Sequence, residues 1–183
     1  MTSVASLLRE QIQATLGVRY ESAFLAKKRP DETLPSVVGG IPRGALTEIA
    51  GPPSSGRTSL LYSLLAASGS VPEYCALLDA GDTFDPESAE AAGVRLSQVL
   101  WVRCGGNVES ALKAAELLAH GGGFGLVAID LGDCPEKTIR RIPLTVWFRL
   151  RRGVENTRTA LVIVARQIHA HSCSALNLSF EVK

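Results

Sequence analysis

The residues best suited to chemistry lie together in Gly51-Pro52-Pro53-Ser54-Ser55-Gly56-Arg57-Thr58-Ser59. Glycines at both ends of the loop let the backbone wrap closely around a phosphate group. Successive backbone N–H groups make a concave nest for an anion, and a helix opening after the loop adds its partial positive charge. The spacing is that of a phosphate-binding loop, G-x-x-x-x-G-K-[ST], with Arg57 at the lysine position. Arginine keeps the charge and can bind phosphate as a fork, but it is bulkier and planar, whereas lysine acts as a compact point charge. Thr58 offers a hydroxyl to Mg²⁺. Asp130 ends the apolar run Leu126–Ile129. A carboxylate at the carboxyl end of a buried strand is positioned to hold Mg²⁺ through water.

These residues need a frame. Ala45–Ala50, Tyr74–Asp79, Val99–Cys104, Leu126–Asp130, Ala160–Ala165 and Ala175–Val182 read as strands. Thr58–Ala67, Asp85–Ala92, Val108–His120 and Glu136–Glu155 read as helices between them. Asp85 is the expected N-cap of the second, with Pro86 at its first position, and Pro143 should kink or split the fourth. Apolar strands alternating with helices predict an α/β fold with a mostly parallel sheet covered on both faces. Residues 3–16 have helical spacing of Leu7, Leu8, Ile12 and Leu16, and Tyr20–Pro35, with Lys27-Lys28-Arg29-Pro30, reads as a linker arm. The expected division is an N-terminal helix and arm over 1–36 and a nucleotide-binding core over 37–183.

The chain has 183 residues, 46% hydrophobic and 20% charged, which suits one α/β domain with a sizeable core. A net charge of +1 makes no global case for nucleic acid, so any such case must be local. The four cysteines form no C-x-x-C pair and are expected to be reduced thiols in a cytoplasmic protein. No apolar run reaches membrane-spanning length, and the first residues lack a long apolar stretch, so neither a membrane span nor a secretory signal is expected. His169 and His171 have no third partner that would make a zinc site.

The chain resembles the RecA recombinase superfamily, and within it the short RecA-like proteins called ImuA that accompany mutagenic translesion synthesis. The resemblance rests on Gly39-Gly40-Ile41-Pro42-Arg43-Gly44-Ala45-Leu46-Thr47-Glu48-Ile49 leading into GPPSSGRTSL. It continues through Asp79-Ala80-Gly81-Asp82-Thr83-Phe84-Asp85-Pro86, the Leu126–Asp130 strand, and Arg166-Gln167-Ile168, covering about residues 37–168. It implies a RecA-like P-loop fold, ATP and Mg²⁺ as ligands, and a role in DNA repair or SOS mutagenesis. It also implies that Gln167 couples the terminal phosphate to a DNA-binding loop. The family's third residue in "D-A-E", the glutamate that activates the attacking water, is Gly81 here, with Asp82 as the adjacent candidate base. Arg166 replaces the family's asparagine, and the segment between Asp130 and Ala160 is shorter than in RecA itself. Together these departures imply nucleotide binding with weak or lost hydrolysis.

Between Glu136 and Arg158 seven basic side chains face two acidic ones. Such a stretch could track a phosphate backbone, and Trp147 and Phe148 could stack on bases, although core-facing aromatics fit the helical pattern as well. By the resemblance, Arg140, Arg141, Arg166 and His169 face DNA, single-stranded for preference. A protein partner from the repair or translesion machinery is expected, and a homo-oligomer could form through the N-terminal helix. Two further readings stay open. One is a competent DNA-dependent ATPase in which Asp82 or a neighbouring subunit supplies the base. The other is an interaction scaffold with a relic P-loop.

Overall fold

Strands made of unbroken apolar residues need cover on both faces, and these strands have it. Leu126, Ala128, Ala160, Val162 and Val164 point into one core, with Leu60, Leu61, Leu64 and Leu65 of the first helix. Val127, Ile129, Leu161, Ile163 and Ala165 point into a second core on the opposite face. The alternation follows from the two-residue period of a strand. The structure is a computed structural model that describes residues 18–21, 33–69 and 73–181; for 18–21 it describes the backbone alone.

The strands are β1 (Val18–Glu21), β2 (Thr33–Leu34), β3 (Ile41–Pro42), β4 (Ala45–Ala50), β5 (Tyr74–Asp79), β6 (Val99–Arg103), β7 (Phe124–Asp130), β8 (Ala160–Ala165) and β9 (Leu176–Phe180). The helices are α1 (Arg57–Gly69), α2 (Pro86–Ala91), α3 (Val108–Gly121), α4 (Glu136–Ile139) and α5 (Leu144–Val154). One sheet runs β1-β9-β4-β8-β7-β5-β6, with six parallel strands and β1 antiparallel at the edge. A separate ribbon pairs β2 with β3. The expected α/β sheet is present with each core strand within a few residues of its predicted place. Val18–Glu21 is a strand, and its last two residues fall in the stretch read from sequence as an arm. The helix expected over 3–16 lies outside the described residues.

The register aligns the strand ends. Ala50 is opposite Ala165, Asp130 opposite Val164, and Asp79 opposite Asp130. The loops after β4, β5, β7 and β8 therefore leave one edge of the sheet together. Parallel strands put every carboxyl end on the same side, and the order β4-β8 marks the point where connections diverge.

The long helix expected over Glu136–Glu155 is two helices. Proline has no N–H and restricts the residue before it, so the chain breaks at Pro143, the N-cap of α5. α5 presents Trp147, Leu150 and Val154 to the second core, with Trp147 only 2% exposed. Gly153 lets α5 approach α3, because a Cβ there would lie 3.1 Å from Ala119 Cβ. Phe148 points away from the core and is 42% exposed, so only one of the two adjacent aromatics is a core residue. Asp85 caps α2 by accepting from the Glu87 N–H at 3.2 Å, with Pro86 first in the helix, as its sequence predicts. No described helix is long and apolar enough to cross a membrane.

Trp147→Ala should cost about 3–5 kcal/mol through the cavity it leaves, and Phe148→Ala less than about 1 kcal/mol. Urea unfolding of the two variants measures this, and equal losses would contradict the inward face assigned to α5.

Candidate functional site

The loop between β4 and α1 is built as a turn that opens a helix. Gly51 donates its N–H to Ala165 O at 3.2 Å, which ties the loop's start to the end of β8. Ser55 N–H donates to Pro52 O at 3.3 Å, and Ser54 and Gly56 take left-handed backbone angles, φ +63° and +91°. Glycine reaches such angles without strain and serine does so at some cost. A side chain at Gly51 would lie 2.9 Å from Phe180 Cβ, so this position needs glycine for space as well. Pro52, Pro53, Ser54, Thr58 and Ser59 are exposed around the loop. Ser55 is buried, and its Oγ has no hydrogen-bond partner. A buried hydroxyl without a partner is costly, so this atom marks a place where the fold leaves a polar group for something else.

Arg57 is 5% exposed and does not reach out from the loop. Its Nη1 donates to Gly51 O at 2.6 Å. Its Nη2 donates to Gly132 O at 2.9 Å and to Asp133 Oδ1 at 3.2 Å. The guanidinium thereby pins the phosphate-loop sequence to the turn that follows β7. A Cβ on Gly132 would come within 2.8 Å of it, so any side chain there would have to push the guanidinium aside. In the same turn Asp130 accepts from Gly132 N–H at 2.9 Å. Burial outweighs that bond and pushes the Asp130 carboxyl up to about 6.

The loop after β5 holds a different kind of carboxylate. Asp79 is fully buried and accepts from Thr83 N–H, Phe84 N–H and Trp101 Nε1, all at 3.0–3.1 Å. It shapes the loop in which Gly81 and Asp82 sit. Asp82 lies at φ +60° and is gripped at both oxygens by Arg103, Nε to Oδ1 at 2.7 Å and Nη2 to Oδ2 at 2.6 Å. Arg103 also stacks over Trp101, 5.1 Å from its ring centre. The Arg103 hydrogen bonds hold the Asp82 carboxyl below its usual value. A Cβ at Gly81 would stand in ordinary contact with Thr83 of its own loop and with Asp133 Cβ, at 3.5 and 3.6 Å.

The residues after β8 are tied inward. Arg166 Nε donates to Gly132 O at 3.0 Å, the carbonyl that Arg57 also uses. Gln167 Oε1 accepts from Arg140 Nη2 at 3.2 Å. Arg140 Nε also lies 3.4 Å from Glu136 Oε1, and His169 Nε2 lies 3.3 Å from the same oxygen. The His169 side chain is 8% exposed, and burial lowers its basicity. Arg140, Arg166 and His169 thus meet one another's loops, while Arg141 is exposed beside Ile142 on a groove of 360 Å³ between α3 and the α4–α5 turn.

Three of these residues escaped the sequence reading as site residues. Glu48, fully buried in β4, accepts from His169 N–H at 2.6 Å and Ala170 N–H at 2.9 Å, fastening the loop after β8. Its signal was a lone charge inside an apolar strand. Asp133 and Gly132 carried no signal, because their importance comes from Arg57 arriving from another element. All four cysteines are free, and Cys75, Cys134 and Cys173 are buried.

The profile of the RecA N-terminal domain family matches residues 31–134. The chain is 42% identical over 93 residues to Protein RecA of Deinococcus radiodurans, a match over 51% of this chain and 25% of that protein. It is 40% identical over 93 residues to Protein RecA of Borrelia hermsii, covering 51% and 26%. Against Protein RecA of Chloroflexus aurantiacus it is 37% identical over 141 residues, covering 69% and 40%. The chain thus spans between a quarter and two-fifths of the length of these relatives.

Burial pushes Glu48 up from 4.5 to about 7 against the two N–H bonds it accepts. A carboxyl raised on folding contributes most below its unfolded value, and that stability is lost as pH rises towards 7. His169, lowered from 6.5, acts in the opposite sense, losing its contribution as pH falls. Comparison with Glu48→Gln isolates the first effect. The stability of the wild type relative to this variant should fall by about 3 kcal/mol between pH 5 and pH 8. Denaturant unfolding at several pH values measures it, and a difference that stays flat would sink the assignment.

Proposed function

The chain belongs to the RecA N-terminal domain family, and from that premise we propose that it is an ATP-binding protein of DNA repair that turns ATP over slowly or not at all. One contrast carries this reading. The turn over Gly51–Thr58 opens a helix, as an anion cradle must, yet the base position is a glycine and the adjacent Asp82 is gripped by Arg103. Ser55 Oγ is buried and unpartnered in the loop, and α1 begins directly behind it. First-turn N–H groups have no partner inside their own helix, so backbone amides of 56–59 suit a phosphate. Thr58 and Asp130 are the groups to hold Mg²⁺, one by its hydroxyl and one through water. Bound Mg²⁺ would neutralise phosphate charge and favour the ionised form of Asp130.

Turnover needs a base near the attacking water. Gly81 has no side chain, and Asp82 beside it is held at both oxygens by Arg103. A missing general base costs typically ~10²–10⁴-fold in rate. Gln167 is retained, and its bond to Arg140 links the two loops that the family resemblance turns towards DNA. A DNA contact, single-stranded for preference, and a protein partner from the translesion machinery belong to the same proposal. So does placement with the short ImuA-type proteins, supported by the Gly39–Ile49 lead-in and the short segment between Asp130 and Ala160. A homo-oligomer through the N-terminal segment is a further part of it.

A competent DNA-dependent ATPase is the alternative that the same assay addresses. At a hundredfold excess over Kd, Mg·ATP should stabilise the chain by ~2.7 kcal/mol, a Tm rise of roughly 5–10 °C, with no phosphate release above background. Single-stranded DNA should not change that release. Thermal shift and phosphate assay of the same samples check both, and fast DNA-stimulated release would establish the ATPase instead.

A further inference from the structure

Two arginines from separate elements converge on one turn at the carboxyl edge of the sheet. Arg57 opens α1, and Arg166 follows β8. Both donate to Gly132 O, at 2.9 and 3.0 Å. Both also face a single carboxylate oxygen, Asp133 Oδ1, at 3.2 Å from Arg57 Nη2 and 3.8 Å from Arg166 Nη2. Two guanidiniums this close repel each other unless an anion lies between them, and Asp133 brings one negative charge to two positive ones.

We propose that Arg57 and Arg166 form a receptor for the terminal phosphate of a nucleoside triphosphate, and that Asp133 is the internal carboxylate competing with that phosphate for it. The inference rests on the phosphate-loop reading above and adds to it the residues that distinguish a triphosphate from a diphosphate. A terminal phosphate carries more charge than a carboxylate and offers three oxygens, which suits two guanidinium forks better than one Asp oxygen does. Asp133 and Arg166 are 46% and 43% exposed at their side chains, so the carboxylate can move into water at little cost. A glycine gives the arrangement its room. Gly132 lets the Arg57 guanidinium pass where a Cβ would lie 2.8 Å away. The exchange makes the arginine at the phosphate-loop lysine position a shared group, bound to the chain's own carboxylate or to the ligand.

The test is titration calorimetry of the full chain with Mg²⁺ and either ADP or a non-hydrolysable triphosphate in which nitrogen bridges the last two phosphates. Asp133→Asn should bind the triphosphate roughly 3–10-fold more tightly than wild type, with ADP affinity changed less than about twofold. Arg166→Gln should weaken the triphosphate, and in that background Asp133→Asn should gain less than about twofold. Unchanged or weaker triphosphate binding by Asp133→Asn would overturn the proposal. Equal tightening for ADP would overturn it too, because it would reduce the effect to general loss of negative charge. Circular dichroism melts verify that each variant is folded. If folded wild type and variants bind neither nucleotide, the phosphate-loop reading itself fails, which is a separate outcome from nucleotide binding that ignores Asp133.

Discussion

A parallel sheet buried on both faces has no room for polar side chains along most of its length. Six parallel strands here are flanked by two hydrophobic cores, one packed by α1 and the other by α3 and α5. Charge taken into such a layer must be paired or hydrogen-bonded, or it costs several kcal/mol. The polar groups are therefore pushed to the strand ends, and parallel connectivity gathers the carboxyl ends on one edge. Gly51, Asp82, Asp130 and Arg166 come together for that reason, although 115 positions of sequence separate the first from the last.

Charges that do enter the interior act as ties between loops. Glu48 reaches from β4 to the N–H groups of 169 and 170. Asp79 holds the loop after β5 through two backbone N–H groups and the Trp101 indole. At the other end of the sheet Arg43, 7% exposed, binds Glu73 at 2.8 Å and the Arg158 carbonyl at 2.7 Å. Each is met by several partners, which is the condition under which a buried polar group persists. Arg57 belongs to the same class. Its three acceptors offset the loss of water, and they draw it away from the role that the spacing of its loop suggests.

The site and the loops around it form one connected arrangement. Gly132 is the common acceptor for Arg57 and Arg166, Glu136 meets both Arg140 and His169, and Arg140 meets Gln167. The turn after β7 is thus bonded both to the loop that opens α1 and to the residues after β8. These contacts join the loops after β4, β7 and β8 along one edge of the sheet.

Much of the architecture was legible in the residues alone. Continuous apolar strands between amphipathic helices specify a doubly covered parallel sheet, Pro143 specifies a break, and Asp85-Pro86 specifies a helix start. Gly51–Thr58 declared a turn opening a helix, because glycine spacing is a local property of backbone freedom. The adjacent Trp147 and Phe148 were separable only once α5 had a neighbour, since a helix surface has an inside only relative to what packs on it. Arg57 is the clearest case of what tertiary structure decided. Its position in the motif is local, but its partners, Gly132 and Asp133, are 75 and 76 residues away. Which anion a guanidinium binds depends on where those distant groups are placed, and only the folded sheet brings them within 3.2 Å.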